Sequence, residues 1–430
     1  MMTLPPPLHV YYADLHVHLG RSPWGGPVKI SAAAGLTAAG ALEESRRRKG
    51  IHILGLVDAQ TTGGLAEIQR LWDEGLLTPL AGGGLVYKGD GREPARDDGA
   101  GHAPVTLIPG AEIETVEEVP GGGGPAHFLV LVPDLARLQE LGRWYAGHVT
   151  NPQLSSQRAQ ASAADLQQLA RDLDGLFIPA HVFTPFKSLY GRCAPSWRAV
   201  LPRPPAAMEL GLSADRAMAT AIPELAGMAF ISSSDAHSLD RIAREYTAFL
   251  LAEPTFDELV LALAGRRGRR IAANYGLDPR LGKYYRSHCR RCHLTAEGPP
   301  PVTACPRCGG AGRDFVPGVL DRITLLAKQE GDGLPPEQVD DAVHDPPYIH
   351  QVPLAFVPGL GPRGREKLLR AFGTEMQVLH RATEDQLAAV VGEDTARRIV
   401  AARGGLLPAA AGGGGRYGRI GKDMPPEPPA

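Results

Sequence analysis

Short apolar runs, each closed by an acid or a histidine and a turn signal, recur through the first two thirds of the chain. In Asp14-Leu15-His16-Val17-His18 the alternation is that of a strand: residues two apart share a face, so Leu15 and Val17 pack inward while two imidazoles line the other side. Ile53 to Val57 ends on Asp58, Thr106 to Ala111 on Glu112, and Leu176 to Ala180 on His181. His127 opens Phe128 to Val132, Glu209 sits in Ala207 to Gly211, and Ile231 leads to Ser234-Asp235-Ala236-His237, a second pair at two-residue spacing. Strands alternating with helical patterns predict a parallel barrel or doubly wound sheet, whose functional residues gather at strand ends. Two histidines at a sheet rim are more often solvated than coordinating; their recurrence with Asp235 and His237 argues for a metal site.

Downstream the pattern changes. Cys289-Arg290-Arg291-Cys292, 12 residues, then Cys305-Pro306-Arg307-Cys308 supply four thiolates for one tetrahedral structural zinc. A disulfide reading needs an oxidising compartment, and Met1 to Pro7 shows no export signal; no run approaches the ~20 apolar residues of a membrane span. Cys193 reads as a packed thiol. Asp321 to Glu330 reads as a helix broken by Gly331 to Pro336. Phe356-Val357-Pro358-Gly359-Leu360-Gly361-Pro362-Arg363-Gly364 contains a Gly-x-Gly-x-x-Gly string, but no long strand precedes it and two prolines crowd the turn, against a dinucleotide fold. A helix-hairpin-helix module fits better, with Gly359 and Gly361 letting backbone amides approach a DNA phosphate beside Arg363, followed by a helix over Arg365 to Phe372. A degenerate copy at Val391 to Ala396 leads into a helix from Arg397 to Arg403. The bland alternative for 356–403 is a helical dimerisation module.

Net charge, -2, decides nothing, but its distribution does. From Gly265 to Arg313 basic residues far outnumber the acids Asp278 and Glu297, a polyanion-binding expectation centred on Arg290 and Arg291 inside the cysteine motif. The loop from Val182 to Arg192, with Phe183, Phe186, Lys187 and Tyr190, offers aromatic faces beside cations, for stacking a displaced base and holding its phosphate, or else a lid packed on itself. The glycine-rich segment 81–104 reads as a surface loop or hairpin, and the tail from Gly404, with Gly412 to Gly415 and the terminal prolines, as disordered.

The ordered series His-x-His, strand-ending Asp, Gly-x-Glu, internal histidines and Ser-Asp-Ala-His resembles the polymerase-and-histidinol-phosphatase (PHP) superfamily, over roughly residues 10 to 275. The resemblance implies a distorted (β/α)7 barrel holding two or three metals and hydrolysing phosphate esters. Its implied ligands are His16, His18, Glu112, His127, His181, Asp235 and His237, with catalysis on Glu112, Asp235 and His181. Glu112 would bridge, His16, His18 and Asp235 would hold one metal, His127 and His181 the second, and Asp58 and His237 a third. The superfamily histidine just past the strand-ending Asp is absent: the chain reads Asp58-Ala59-Gln60-Thr61, and Leu19 to Ser22 offers only a hydroxyl in place of the other variable ligand.

Barrel, four-cysteine module and hairpins in this order resemble the endonuclease Q family. That resemblance implies cleavage 5′ to deoxyuridine, deoxyinosine, deoxyxanthosine or an abasic site in double-stranded DNA, with a structural zinc and catalytic Zn2+, Mg2+ or Mn2+, in a prokaryotic cytoplasm and nucleoid. A sliding clamp is a conceivable recruiter, though no clamp-binding motif is seen. The alternatives are a small-molecule phosphatase and a non-catalytic DNA-binding scaffold. The expected layout is a PHP domain over 1–282, a zinc module over 283–318, a helical linker over 319–355, an all-α hairpin domain over 356–405 and a tail over 406–430.

Overall fold

A computed structural model describes residues 6–89, 102–120, 123–155, 157–330 and 345–421. The apolar runs become strands: β1 (His9–Val17), β2 (Ile53–Leu56), β3 (Leu77–Pro79), β4 (Leu85–Tyr87), β5 (Val105–Glu117), β6 (Gly124–Leu131), β7 (Leu176–Pro179), β8 (Met208–Glu209), β9 (Phe230–Ile231), β10 (Tyr246–Leu251) and β11 (Arg270–Gly276). β1, β2 and β5 run parallel, β6 is antiparallel to both β5 and β7, and β8 is parallel to β9. The hydrogen bonds Ala206 N to Phe177 O and Val182 N to Glu209 O join β7 to β8, while Val17 pairs in parallel with Ala236 beyond β9. The ring therefore closes as the distorted barrel that the PHP resemblance implies. Its distortion is β6, which runs against its neighbours.

Ala13, Leu15, Ile53, Val57, Leu129, Ile178 and Ile231 form one buried apolar cluster, and a second and larger one lies where helices such as Thr62–Asp73 and Leu135–His148 pack on the strands. β10 and β11 extend the sheet antiparallel beyond β1. Among the described residues no helix is long and apolar enough to cross a membrane. The segment from 81 starts as the turn of the β3–β4 hairpin, and residues 90–101 of it lie outside the described residues.

Two expectations need correcting. The stretch 319–355 is helical over Val319–Glu330, as its pattern predicts, but Tyr348–His350 is a strand parallel to β11; the predicted breaker from Gly331 lies outside the described residues. The tail is not loose as far as Gly421. Ala409–Ala410 pairs with Arg419–Ile420, Gly412 N donates to Arg280 O at 2.7 Å, and Gly418 N donates to Leu281 O at 2.9 Å. A Cβ on Gly418 would lie 2.3 Å from Ala410 O, so these glycines permit backbone-to-backbone packing rather than flexibility. Residues 422–430 lie outside the description.

The C-terminal helices are Pro362–Phe372, Glu375–His380, Glu384–Val391 and Glu393–Arg403. The last begins four residues before the expected Arg397, because Gly392, at φ +83°, caps it directly. This bundle is tied to the barrel. Lys49 and Glu375 form a buried ion pair at 3.0 Å, Tyr12 stacks on His380 at 4.5 Å, and Val352 N donates to Ala402 O at 2.9 Å.

Candidate metal centre

Strand geometry delivers the site. His18 N donates to Ala236 O and Ala236 N to His16 O, which places Asp235 and His237 beside the His16 and His18 pair. Glu112 on β5 and His127 on β6 meet across the antiparallel ladder, with His127 Nδ1 2.7 Å from Glu112 Oε1, and His181, just past β7, brings its Nε2 to 3.1 Å from the same oxygen. His181 and Asp235 both adopt left-handed backbone, at φ 31° and 47°, a strain of about 1–3 kcal/mol each that surrounding packing must hold.

The donors form two groups. His16, His18 and Asp235 present one atom each within 4.8 Å of one another, and so do Glu112, His127 and His181. His16 Nε2 lies 3.3 Å from His18 Nε2, and His18 Nε2 lies 3.2 Å from Asp235 Oδ1. Glu112 stands between the groups, its Oε1 3.6 Å from His16 and its Oε2 3.8 Å from His18. A carboxylate there can serve both groups; an imidazole cannot. Above them opens a cavity of about 270 Å³, lined also by Lys29, Glu114, Lys187 and His237.

Behind the donors lies a second row of carboxylates. His16 Nδ1 is 3.0 Å from both oxygens of Glu209, and His18 Nδ1 is 2.9 Å from Asp58 Oδ2. Glu209 also accepts from His181 N at 2.8 Å, and Asp58 accepts from Leu19 N at 2.8 Å. Such partners fix each ring and leave its Nε2 to face a metal. Burial alone would lower the His16 pKa, but Glu209, Asp235 and Glu112 override it and raise it to about 10. Asp235 is held well below the usual carboxylate range against its burial, by the His18 hydrogen bond and the charges of His16 and His18. Burial presses His237 down to about 4.

Six of the expected ligands thus converge in two triads. Asp58 stands behind His18 instead of in either triad. His237 also lies outside both, with Nδ1 3.0 Å from Asp235 O and its ring 4.4 Å from that of His18. Sequence reasoning passed over Lys29 and Glu114, and took Glu209 as a strand-end candidate without a role. Glu114 shares a strand face with Glu112 and was within reach of the same alternation. Lys29 lies in an irregular turn with no periodic signal.

The four Sγ atoms of Cys289, Cys292, Cys305 and Cys308 also lie within 4.8 Å of one another. Cys289 Sγ and Cys308 Sγ are 3.8 Å apart, and a tetrahedron with Zn–S near 2.3 Å has edges of about 3.8 Å. Cys193 is fully buried, and burial pushes its thiol up to about 12, as expected of a packed thiol. Arg290 sits 5.9 Å from the ring centre of Phe186, and Arg291 lies 3.9 Å from Asp314. Within the basic stretch Arg269, Arg280 and Arg286 pair with Glu258, Asp278 and Asp321, which narrows the polyanion-binding expectation to its remaining cations. Of the loop after His181, Phe183 and Tyr190 pack on each other in the core, Lys187 pairs with Glu114 at 2.7 Å, and Phe186 is exposed with its edge toward Tyr284. Gly359, at φ +85°, and Gly361 form the turn into Pro362–Phe372, and Arg363 lies in that helix's first turn.

No family model matches the chain. It is 42% identical over 414 residues to the uncharacterized protein YqxK of Bacillus subtilis, covering 95% of this chain and 98% of that one. The crystal structure of the lesion-specific endonuclease PfuEndoQ of Pyrococcus furiosus superposes with a TM-score of 0.75 at 29% identity, over 97% of this chain and 96% of that chain. Endonuclease Q in complex with a 27-mer duplex substrate carrying an abasic lesion at its active site gives a TM-score of 0.74 at 29% identity, over 97% and 98%. Barrel, cysteine module and hairpin helices all fall within these alignments, and the chain belongs to the endonuclease Q family.

Proposed function

We propose that the chain is a metal-dependent DNA repair endonuclease that cuts the phosphodiester 5′ to a damaged nucleotide: deoxyuridine, deoxyinosine, deoxyxanthosine or an abasic site. The observation that carries this reading is the pair of three-donor groups sharing Glu112 beneath an open cavity, in a chain whose solved relatives match it end to end. Divalent cations held there would supply charge neutralisation at the attacked phosphate and an activated water. Imidazole-rich donors suit Zn2+ better than Mg2+ or Mn2+.

The chain's own residues do the rest. Asp58 and Glu209 hold the rings of His18 and His16 so that both Nε2 atoms face forward. Glu112 balances positive charge on both sides. The target nucleotide must leave the stack for its phosphate to reach the floor of the cavity. Phe186, flanked by Tyr284 and Arg290, is placed to stack a displaced base, and Lys187 at the rim to meet a phosphate. Hairpin amides at Gly359 and Gly361 grip the duplex at a distance, beside Arg363. The cysteine module, holding Zn2+, presents Arg290 and Arg291.

The test is nicking of labelled duplexes, each with one damaged base, with divalent metal and with chelator. Metal-dependent cuts 5′ to the lesion, sparing undamaged controls, are expected; Asp235→Asn should abolish them while duplex binding persists. Cutting by that variant at the wild-type rate refutes the assignment. Hydrolysis of an aryl phosphate with no action on DNA would instead mark a small-molecule phosphatase.

A further inference from the structure

Lys29 is a buried cation in the wall of the metal cavity. It lies in the turn after β1, its N donating to Leu19 O at 3.0 Å and its O accepting from Ala32 N at 3.0 Å. Only 7% of it is exposed, and its Nζ sits 2.7 Å from Glu112 Oε2. A buried ammonium is costly unless paired, so this placement is not a by-product of core packing. The pairing is also one-sided: Glu112 Oε1 faces His127 and His181, while Oε2 faces Lys29.

The residues available for a third divalent ion point the same way. Ala59 and Gln60 stand at the positions following Asp58, and both are buried without a metal-binding side chain. Asp58 Oδ2 is committed to His18 and Leu19. Its Oδ1 is buried and without a hydrogen-bond partner, a negative charge that a nearby cation offsets.

We infer that the Lys29 ammonium takes the place of a third metal ion, so that the barrel works with two divalent cations and one fixed organic cation. This rests on the metal-dependent phosphoesterase reading above. An ammonium has three protons. Glu112 accepts one, and the cavity wall leaves the others to a phosphate oxygen, which makes Lys29 a charge-balancing group that needs no loading from solution.

The experiment compares the full chain with Lys29→Met and Lys29→Arg. After loading with Zn2+ or Mn2+ and desalting, bound metal per chain is measured by elemental analysis, folding by thermal melting, and nicking on a uracil duplex. The wild type should hold one ion for each of the three donor groups and no more. Lys29→Met should keep that count and its melt yet lose about a hundred-fold in nicking; Lys29→Arg should keep the count and most of the activity. One ion beyond the three groups in the wild type overturns the inference. So does loss of metal in Lys29→Met, which would make the lysine a structural prop, or equal loss of nicking in both variants. A wild type that cuts no lesion duplex removes the endonuclease reading, while the metal count still decides the role of Lys29.

Discussion

Glu209 touches no substrate, yet its charge is expected to set how firmly the first triad holds its ion. Both of its oxygens lie 3.0 Å from His16 Nδ1 in a fully buried setting, and Oε2 also accepts from His181 N. Glu209→Gln preserves volume and one acceptor but removes the charge. Loss of such a partner weakens metal binding about ten- to a hundred-fold, which is about 1.4 to 2.7 kcal/mol. A proton competes with the metal for His16, whose pKa is raised to about 10, so wild-type affinity climbs with pH until that value. In the variant His16 sheds its proton earlier and its affinity levels off sooner. The deficit should therefore be largest near pH 9 and shrink toward pH 7. Competition with a chromophoric chelator at each pH reads this directly. Equal affinities at pH 9, or a deficit that narrows as pH rises, would refute the reasoning.

Other perturbations test separate parts. Burial pushes the Glu245 carboxyl up to about 8, above its value near 4.5 in an unfolded chain, so its contribution to stability is full below about 4.5 and is lost as pH rises through 8. Glu245→Gln should flatten the fall in melting temperature across that window and stabilise the protein at pH 8 by a few kcal/mol, since each tenfold change in proton affinity is worth about 1.4 kcal/mol; an unchanged slope would count against it. Replacing Cys289 and Cys292 by Ser should unfold the small module, release one zinc per chain and weaken duplex binding with barrel metal unchanged, by elemental analysis and gel shift. Gly418→Ala, whose new methyl would meet Ala410 O and Leu281 Cα, should unseat the tail and open residues 406–421 to limited proteolysis; wild-type digestion would speak against the docking.

The barrel was legible because every closing strand, even the two residues of Met208–Glu209, carries a buried apolar run with a functional group in it or soon after it. Six of the expected ligands lie along those runs and meet in the two triads. The sequence could not separate a ligand from the carboxylate behind it, since Asp58 and Glu209 sit with short apolar runs just as Glu112 and Asp235 do. What distinguishes Asp58 and Glu209 is which nitrogen of a histidine they face, a matter of rotamers and neighbouring strands. Lys29 was invisible for a different reason: its meaning comes from Glu112, far away in the chain. Glycine misled in the tail, where the same residue that permits disorder also permits the closest backbone packing. Tyr348–His350 offered too short and too polar a run to reveal a strand.

That strand has a consequence for how the protein handles a long polymer. Because Tyr348–His350 lies in register with β11, and Lys49, Glu375, Tyr12 and His380 lock the helices against the barrel, the interval between hairpin and metal floor is set by the fold. On the proposed function the molecule would work as a ruler: the grip on the helix and the point of scission would keep a constant offset along the DNA. A duplex trimmed back on the hairpin side below that offset should lose turnover in a single step, whereas trimming on the opposite side should cost little.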